Sequence, residues 1–258
     1  MLDLNDYPLL AVFLVSTTII LLASEFGRRL GVRAGNRGGD NVATLEGAIL
    51  GLMALMIGFT FAMALARFET RRDAALNEAN AIGTTALRAR MLPAPHNTES
   101  IALLKDYLQL RLDLSRRVAT VSELNAAIDR SNAIQEALWQ QAKMLPAKAP
   151  GMVPTGLYIQ SLNEMIDNQE KRLTAARNSV PKIVLLALYG VATIASAFTG
   201  YAAGLEARRS RLPVYVMAGL ISAVILLIED LDRPTTGFIT VSQQPLVDTA
   251  SSIAGFKD

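Results

Sequence analysis

Residues 46–84 read EGAILGLMALMIGFTFAMALARFETRRDAALNEANAIGT. The part from Gly47 up to Arg67 carries no charge and is long enough for a helix to cross about 30 Å of hydrocarbon. Beyond Arg67, apolar residues continue at helical spacing on one face, and polar residues recur at helical spacing on another face. The stretch therefore predicts one helix that crosses a membrane and continues outside it until Pro93 and Pro95 end it.

Three other apolar runs lie at residues 8–24, 182–204 and 212–228, and none has a charge in its interior. A long, mostly polar segment separates the two N-terminal runs from the two C-terminal ones. This order predicts an all-α membrane protein with four transmembrane helices in two hairpins that flank a helical extramembrane insert. The predicted segments are residues 1–66 (first hairpin), 67–181 (insert), 182–230 (second hairpin) and 231–258 (a polar tail without a long helix).

The insert is predicted to contain several helices joined by short breaks. Thr120 and Glu123 have the spacing of a capping box, which predicts that a helix begins there. Residues 146–154 are rich in proline and alanine and are predicted to form a loop before the last insert helix.

The composition argues against several functional classes. The chain has no cysteine, and His96 is its single histidine, so no nucleophile–base pair of the usual kind is available. The formal net charge is +2 and no long basic run occurs, which argues against nucleic-acid binding. We therefore expect no enzyme activity and no nucleic-acid partner, and the apolar runs make the lipid bilayer the required partner.

One face of the second apolar run has a pattern that suits a pore. Gly51, Leu55 and Phe59 are four residues apart and so lie on the same side of the helix. Small residues allow helices to approach closely, and Phe59 suits an apolar constriction that blocks ions by excluding water. Ordinary helix packing through Gly47, Gly51 and Gly58 explains the same spacing, and the spacing alone leaves both interpretations open.

The polar stripe beyond this run also has two interpretations. Glu69 and Asp73 are predicted either to line a vestibule below a pore or to lie on a solvated helix face with local ion pairs. Arg67 and Phe68, at the end of the apolar run, are predicted to have a structural role, as is Gly58.

A cluster of charges directly follows the fourth run. Carboxylates at a helix C-terminus face the negative end of the helix dipole, which costs roughly 0.3–1 kcal/mol each. The cluster therefore needs a counter-charge, either from arginine side chains or from a bound cation such as Ca²⁺, which takes several carboxylate and carbonyl oxygens. Its members are Glu229, Asp230 and Asp232 as candidate metal ligands and Arg233 as a structural partner.

The segment ALMIGFTFAMALARFE resembles the second transmembrane helix of the bestrophin family. That helix carries a Gly-Phe pair, here Gly58 and Phe59, followed at the same distance by Arg and an aromatic residue, here Arg67 and Phe68. Together with the later segment EDLDRP, the chain resembles the bestrophin-like domain family of bacterial membrane proteins. The resemblance implies a pore lined by the second helix, with an apolar ring at Phe59 and Leu55.

The resemblance also implies a pentamer, permeation by small anions and a calcium-binding acidic cluster after the last span. From the residues, four spans are too few to enclose a polar pathway in one subunit, so a channel requires several copies of the chain. We expect a homo-oligomeric ion channel that conducts small inorganic ions. Acidic side chains at the pore mouth favour cations, so selectivity stays open. The alternative is a membrane-anchored interaction or sensor protein without a conducting pore.

The orientation is predicted from the arginines in the two short hairpin loops. Positive charge in short loops favours the cytoplasmic side, so both hairpin turns are predicted to be cytoplasmic and the insert periplasmic, in a bacterial inner membrane. The arginines are Arg28, Arg29, Arg33 and Arg37 in the first loop and Arg208, Arg209 and Arg211 in the second.

Overall fold

The computed structural model describes residues 7–35, 41–115, 120–145, 152–205 and 211–256. All regular secondary structure in these ranges is helical, as the sequence predicts. The helices are α1 (Leu9–Ala34), α2 (Val42–Ala89), α3 (His96–Ser115), α4 (Val121–Met144), α5 (Met152–Arg177), α6 (Lys182–Leu205), α7 (Leu212–Asp232) and α8 (Gln244–Ala254). Arg37, Arg208 and Arg209, on which the orientation prediction partly rests, lie outside the described residues.

The chain divides into two compact units. The membrane unit consists of Met1–Phe68 and Ser179–Thr240, and the helical unit consists of Glu69–Asn178 and Val241–Asp258. Helix α2 is 48 residues long and contributes its first part to the membrane unit and its last part to the helical unit. The C-terminal residues 231–258 are divided between the two units.

Four helical segments of the described chain are long and apolar enough to cross a membrane. They are α1, α2, α7 and the range Val153–Leu205, in which α6 supplies the apolar stretch. Large apolar side chains such as Leu14, Ile19 and Leu22 are exposed on α1. Such exposure suits a surface that faces lipid, because lipid tails are as apolar as leucine.

Glycines bring α1 and α6 into close contact within the membrane unit. A Cβ atom on Gly27 would lie 1.8 Å from the carbonyl oxygen of Ala197, and one on Gly31 would lie 2.2 Å from that of Tyr201. From the other side, a Cβ atom on Gly200 would lie 2.0 Å from the α1 backbone. The contacts advance in the same direction along both helices, so α1 and α6, the first helices of the two hairpins, run parallel.

Polar contacts at both ends show that α7 runs antiparallel to α1. The Tyr215 hydroxyl, near the start of α7, donates to Glu25 near the end of α1 at 3.3 Å. At the other end, Arg233 Nη1 donates to the carbonyl oxygen of Tyr7 at 2.8 Å.

The helical unit has its own apolar core. Side chains from all of its helices are buried there, among them Ile82, Leu104, Leu138, Leu162 and Leu246. These residues lie at helical spacing with other apolar residues of their helices, which is why each helix buries one face.

The predicted capping box at the start of α4 is confirmed. The backbone N–H of Thr120 donates to Glu123 Oε2 at 2.8 Å, and the backbone N–H of Glu123 donates to Thr120 Oγ1 at 3.2 Å. The two bonds satisfy donors that the first helical turn leaves without intrahelical partners.

One helix boundary differs from the sequence prediction, and the tail, for which no long helix is predicted, contains a short one. Helix α5 already begins at Met152, inside the loop predicted at 146–154, because Pro154 lies in the first turn, where a helix tolerates proline. The C-terminal tail contains the 11-residue helix α8, which also begins with a proline in its first turn. Its Leu246 and Ile253 are buried, so packing in the helical unit stabilises a short helix that its own sequence does not.

Candidate functional site

The first part of α2 presents an exposed face in the membrane unit. Leu55 and Phe59 are 55% and 63% exposed, and Gly51 lies exposed on the same side. Met53 and Ala64, on the opposite side of the helix, are buried in the core of the membrane unit. The three predicted pore-lining residues of this segment therefore share a face that the protomer leaves open.

The glycines of this part of α2 make no close contact within the described chain. A Cβ atom added to Gly47, Gly51 or Gly58 would meet no neighbouring atom within 4 Å. Packing through these three glycines, the alternative that their spacing left open, therefore has no support inside the protomer. Among the described residues, no neighbour packs against these glycines.

The glycines that do pack lie in α1 and α6, and the sequence reasoning had not predicted their role. Gly27 and Gly31 are four residues apart, as are Gly200 and Gly204, and each pair lies in an apolar helix. This small-xxx-small spacing is a known signal of close helix contact in membranes. The spacing was available in the sequence, but Gly47 and Gly51 share it, so only the packed structure distinguishes the two groups.

Past the membrane unit, Glu69 and Asp73 are exposed on α2. Asp73 Oδ1 accepts a bond of 3.3 Å from Arg72 Nη2, and both side chains are about 60% exposed, so water screens this local ion pair strongly. Arg67 is half-buried, and Phe68 packs against the core of the membrane unit.

The acidic cluster at the end of α7 is buried. Glu229, Asp230, Asp232 and Arg233 are all 4% exposed or less. The Tyr189 hydroxyl donates to Glu229 Oε1 at 3.2 Å. The charges are thus gathered inside the membrane unit rather than displayed at its surface.

The two aspartates of the cluster bind backbone amides. Asp230 accepts from the N–H groups of Phe238 and Ile239 at 2.6 Å and 3.0 Å, and Asp232 accepts from Val180 N–H at 2.8 Å. A Cβ atom on Gly237 would crowd Asp230 Oδ1, so glycine at this position lets the loop approach the carboxylate closely. The cluster holds the segment after α7 and the start of α6 in place.

This arrangement does not fit a calcium site. The described residues contain no group of three or more His, Asp or Glu side chains placed to hold a metal ion. The carboxylates of Asp230 and Asp232 point at different backbone segments instead of converging on one centre. Calcium binding at Glu229, Asp230 and Asp232 stays a prediction from the sequence, and the geometry supports the structural alternative.

The helical unit also contains a buried ion cluster that was not predicted from the sequence. Glu78 on α2 is fully buried, and its carboxylate pairs with Arg111 Nε at 2.7 Å and with Arg172 Nη1. Glu78 lies among Ala75, Ala79 and Ile82 on the apolar face of α2, and a carboxylate between these apolar residues was the available signal.

Polar side chains from other helices extend this cluster. The Tyr107 hydroxyl donates to Gln169 Oε1 at 2.7 Å, Gln135 Nε2 donates to the same oxygen at 3.1 Å, and Arg172 Nη2 donates to Gln243 Oε1 at 2.7 Å. Burial and the nearby negative charge of Glu78 raise the pKa of Tyr107 above its ordinary value, so this hydroxyl stays neutral. The network joins α2, α3, α4, α5 and the start of α8.

These features define a multi-pass α-helical membrane protein with a second, helical unit and an exposed face on its longest helix. The family model described as Bestrophin-like domain matches residues 12–246. The chain therefore belongs to the bestrophin-like domain family, as its resemblance predicts.

Solved structures share this fold. Two crystal structures of variants of a bacterial bestrophin homologue from Klebsiella pneumoniae match with TM-scores of 0.66 and 0.67 and with 19% and 18% sequence identity. Both alignments cover 93% of this chain, with 97% and 96% of the respective homologue chains. No curated protein matches the chain by sequence.

Proposed function

We propose that the protein is a homo-oligomeric ion channel whose pore is lined by α2. The observation that carries this proposal is the open α2 face with Gly51, Leu55 and Phe59, which is exposed although the other side of the same helix is buried. Membership of the bestrophin-like domain family supports the same function.

The open face suits contact around a symmetry axis. Four spans leave no room for a polar pathway inside one protomer, whereas several copies of α2 around an axis enclose one. Gly47, Gly51 and Gly58 have free space beside them in the protomer, which allows neighbouring helices of an assembly to approach closely. The bestrophin resemblance favours five copies.

Leu55 and Phe59 are the proposed constriction. Both are large, apolar and more than half exposed, and they lie one turn apart on the open face. A ring of such side chains excludes water from a narrow pore and so blocks ions without a plug.

Glu69 and Asp73 are proposed to line the pathway beyond the constriction. Their exposed carboxylates favour cations, whereas the bestrophin resemblance implies small anions. The reversal potential under a KCl gradient distinguishes cation selectivity from anion selectivity. If the double variant Glu69→Gln with Asp73→Asn shifts the selectivity towards anions, cation selection is assigned to these two side chains.

The channel is tested by truncating the constriction. Phe59→Ala is expected to raise ion flux into liposomes at least severalfold, because the wider ring admits water, and Leu55→Ala is expected to act in the same direction. Phe26→Ala and Leu14→Ala are matched controls, because these residues on α1 are exposed to almost the same extent, 63% and 56%. Both controls should leave flux unchanged.

If Phe59→Ala disrupts the oligomer and leaves the protein non-conducting, Phe59 is a packing residue. The membrane-anchored interaction or sensor protein then becomes the better interpretation.

We also propose that the protein resides in a bacterial inner membrane, with the hairpin turns in the cytoplasm and the helical unit in the periplasm. The support is the arginine content of the hairpin ends, of which Arg28, Arg29, Arg33 and Arg211 lie in the described chain.

A further inference from the structure

A basic patch lies where α1 ends and α7 begins, at one end of the membrane unit. It contains Arg28, Arg29 and Arg33 of α1 and Arg211 at the N-cap of α7. The side chain of Arg29 is 70% exposed, and Arg33 and Arg211 are exposed as well. Glu25 pairs with Arg28 and Arg29, so among the described residues of this patch four arginines accompany one carboxylate.

Glu25 fixes two of the arginines in position. Its Oε2 accepts from Arg28 Nε at 3.0 Å, and its Oε1 accepts from Arg29 Nε at 3.4 Å. Tyr215 of α7 donates to the same carboxylate at 3.3 Å. Among the described residues, no hydrogen bond or ion pair engages the terminal nitrogens of Arg29 or the side chains of Arg33 and Arg211, so their donors are available to a ligand.

The helix register places arginines of two helices at the same level. Helices α1 and α7 are antiparallel, with Glu25 opposite Tyr215. Arg29 is one turn after Glu25, and Arg211 is one turn before Tyr215, so both lie one turn further towards the end of the membrane unit. Packed helices have axes about 8–10 Å apart, which lets two arginine side chains meet around one phosphate.

The position of Arg211 argues for an anionic ligand. Arginines at the C-terminal end of α1 are favoured by its helix dipole, but Arg211 lies at the N-terminal end of α7, where the dipole disfavours a cation. A bound anion beside Arg211 would offset this unfavourable interaction. The guanidinium fork matches phosphate oxygens in pairs, which makes phosphate the best-suited group.

The surroundings of the patch place it at the depth of lipid headgroups. Leu22 on α1 and Leu212 and Val216 on α7 are all more than half exposed beside it, as suits contact with acyl chains. Tyr215 is a residue type enriched at the boundary between hydrocarbon and headgroups. A phosphate at this level belongs to a lipid.

We propose that Arg29, Arg33 and Arg211 bind the phosphate of an anionic phospholipid, with Glu25 and Tyr215 as positioning residues. The surplus of positive charge selects lipids with a net negative headgroup over zwitterionic ones. This binding is independent of ion conduction, so it stands or falls separately from the channel.

The test measures lipid binding to the purified full-length protein in detergent by native mass spectrometry. Phosphatidylglycerol is expected to remain bound under conditions that remove phosphatidylcholine. Each change of Arg29, Arg33 or Arg211 to Gln should weaken phosphatidylglycerol binding about fivefold, and the triple variant should lose it. Inorganic phosphate at the same concentration should not compete.

The control removes the same charge elsewhere. Lys105, Arg130 and Lys143 are exposed in the helical unit, and their triple change to Gln should leave phosphatidylglycerol binding intact. Equal binding of both lipids, competition by inorganic phosphate, or equal losses in the two triple variants would each overturn the proposal. If the arginine triple variant does not fold, Arg211→Gln alone decides, and unchanged phosphatidylglycerol binding in this variant overturns the proposal.

Discussion

Asp230 connects a helix end to the loop that follows it. Both of its oxygens accept backbone N–H groups, from Phe238 and Ile239. Hydrogen bonds to a charged acceptor are roughly twice as strong as neutral ones. These bonds offset the repulsion between carboxylates and the negative end of the α7 dipole, so a bound metal is not required to explain the acidic cluster.

This account predicts the response to calcium. The wild-type protein is expected to melt at the same temperature in millimolar Ca²⁺ and in chelator, because the carboxylates already bind protein donors. Thermal melting of the detergent-solubilised protein checks this. The opposite result would be a melting temperature that rises with Ca²⁺. If the double variant Asp230→Asn with Asp232→Asn abolished this rise and the control Asp106→Asn with Asp129→Asn kept it, the calcium site would be established.

Among the described residues of the helical unit, Glu78 is the most deeply buried charged side chain, and its two arginine partners differ in burial. Arg111 is 4% exposed and Arg172 is 17% exposed. Removing the carboxylate would leave both guanidinium groups without their counter-charge inside a region of low dielectric.

We therefore predict that Glu78→Gln lowers the free energy of unfolding by about 3–5 kcal/mol. Glu136, which pairs with Lys143 at 3.7 Å on the surface of the same unit, is the control. Glu136→Gln should cost less than about 1 kcal/mol, because water screens an exposed pair. Denaturant unfolding followed by circular dichroism measures both, and equal effects would contradict a stabilising role for the buried pair.

Among the helices, α1 and α6 are joined most closely, because their backbones touch at glycines. Gly27 faces the carbonyl oxygen of Ala197, and Gly200 faces that of Ser24. In a membrane, association of helices depends on close packing rather than on the exclusion of water. The parallel contact of α1 and α6 thus joins the two hairpins of the membrane unit.

A single methyl group at these glycines should separate the helices. Gly27→Ala and Gly200→Ala are expected to lower stability by about 1–3 kcal/mol or more, because a Cβ atom would overlap backbone atoms that cannot rotate away. Gly219→Ala in α7 is the matched control, since its Cβ atom would meet nothing within 4 Å. Melting in detergent compares the three, and an unaffected Gly27→Ala protein would refute the close contact.

The membrane orientation of the whole molecule is open to direct labelling, because the chain contains no cysteine. Single cysteines at Ala34 and Ala207, next to the two hairpin turns, are expected to be protected from a membrane-impermeant maleimide in intact cells. A cysteine at Ala147, between α4 and α5, is expected to react. Labelling of Ala34→Cys together with protection of Ala147→Cys would place the helical unit in the cytoplasm.

Much of the architecture could be predicted from local patterns. Charge-free runs of spanning length predicted the four membrane helices, and helical spacing beyond Arg67 predicted that α2 continues past the membrane. Thr120 and Glu123 predicted the start of α4. Each of these features depends on residues close together in the chain, so hydropathy, period and capping chemistry were sufficient.

Contacts between distant residues could not be obtained in this way. The sequence offered two groups of glycines, and only the packed structure distinguishes Gly27, which touches another backbone, from Gly51, which has free space beside it. The sequence likewise contains the charges of Glu78 and Arg111, but nothing in it indicates that the two side chains meet in a core. Such pairings depend on which helix faces lie together, and that is set by the packing of the whole chain rather than by the local sequence.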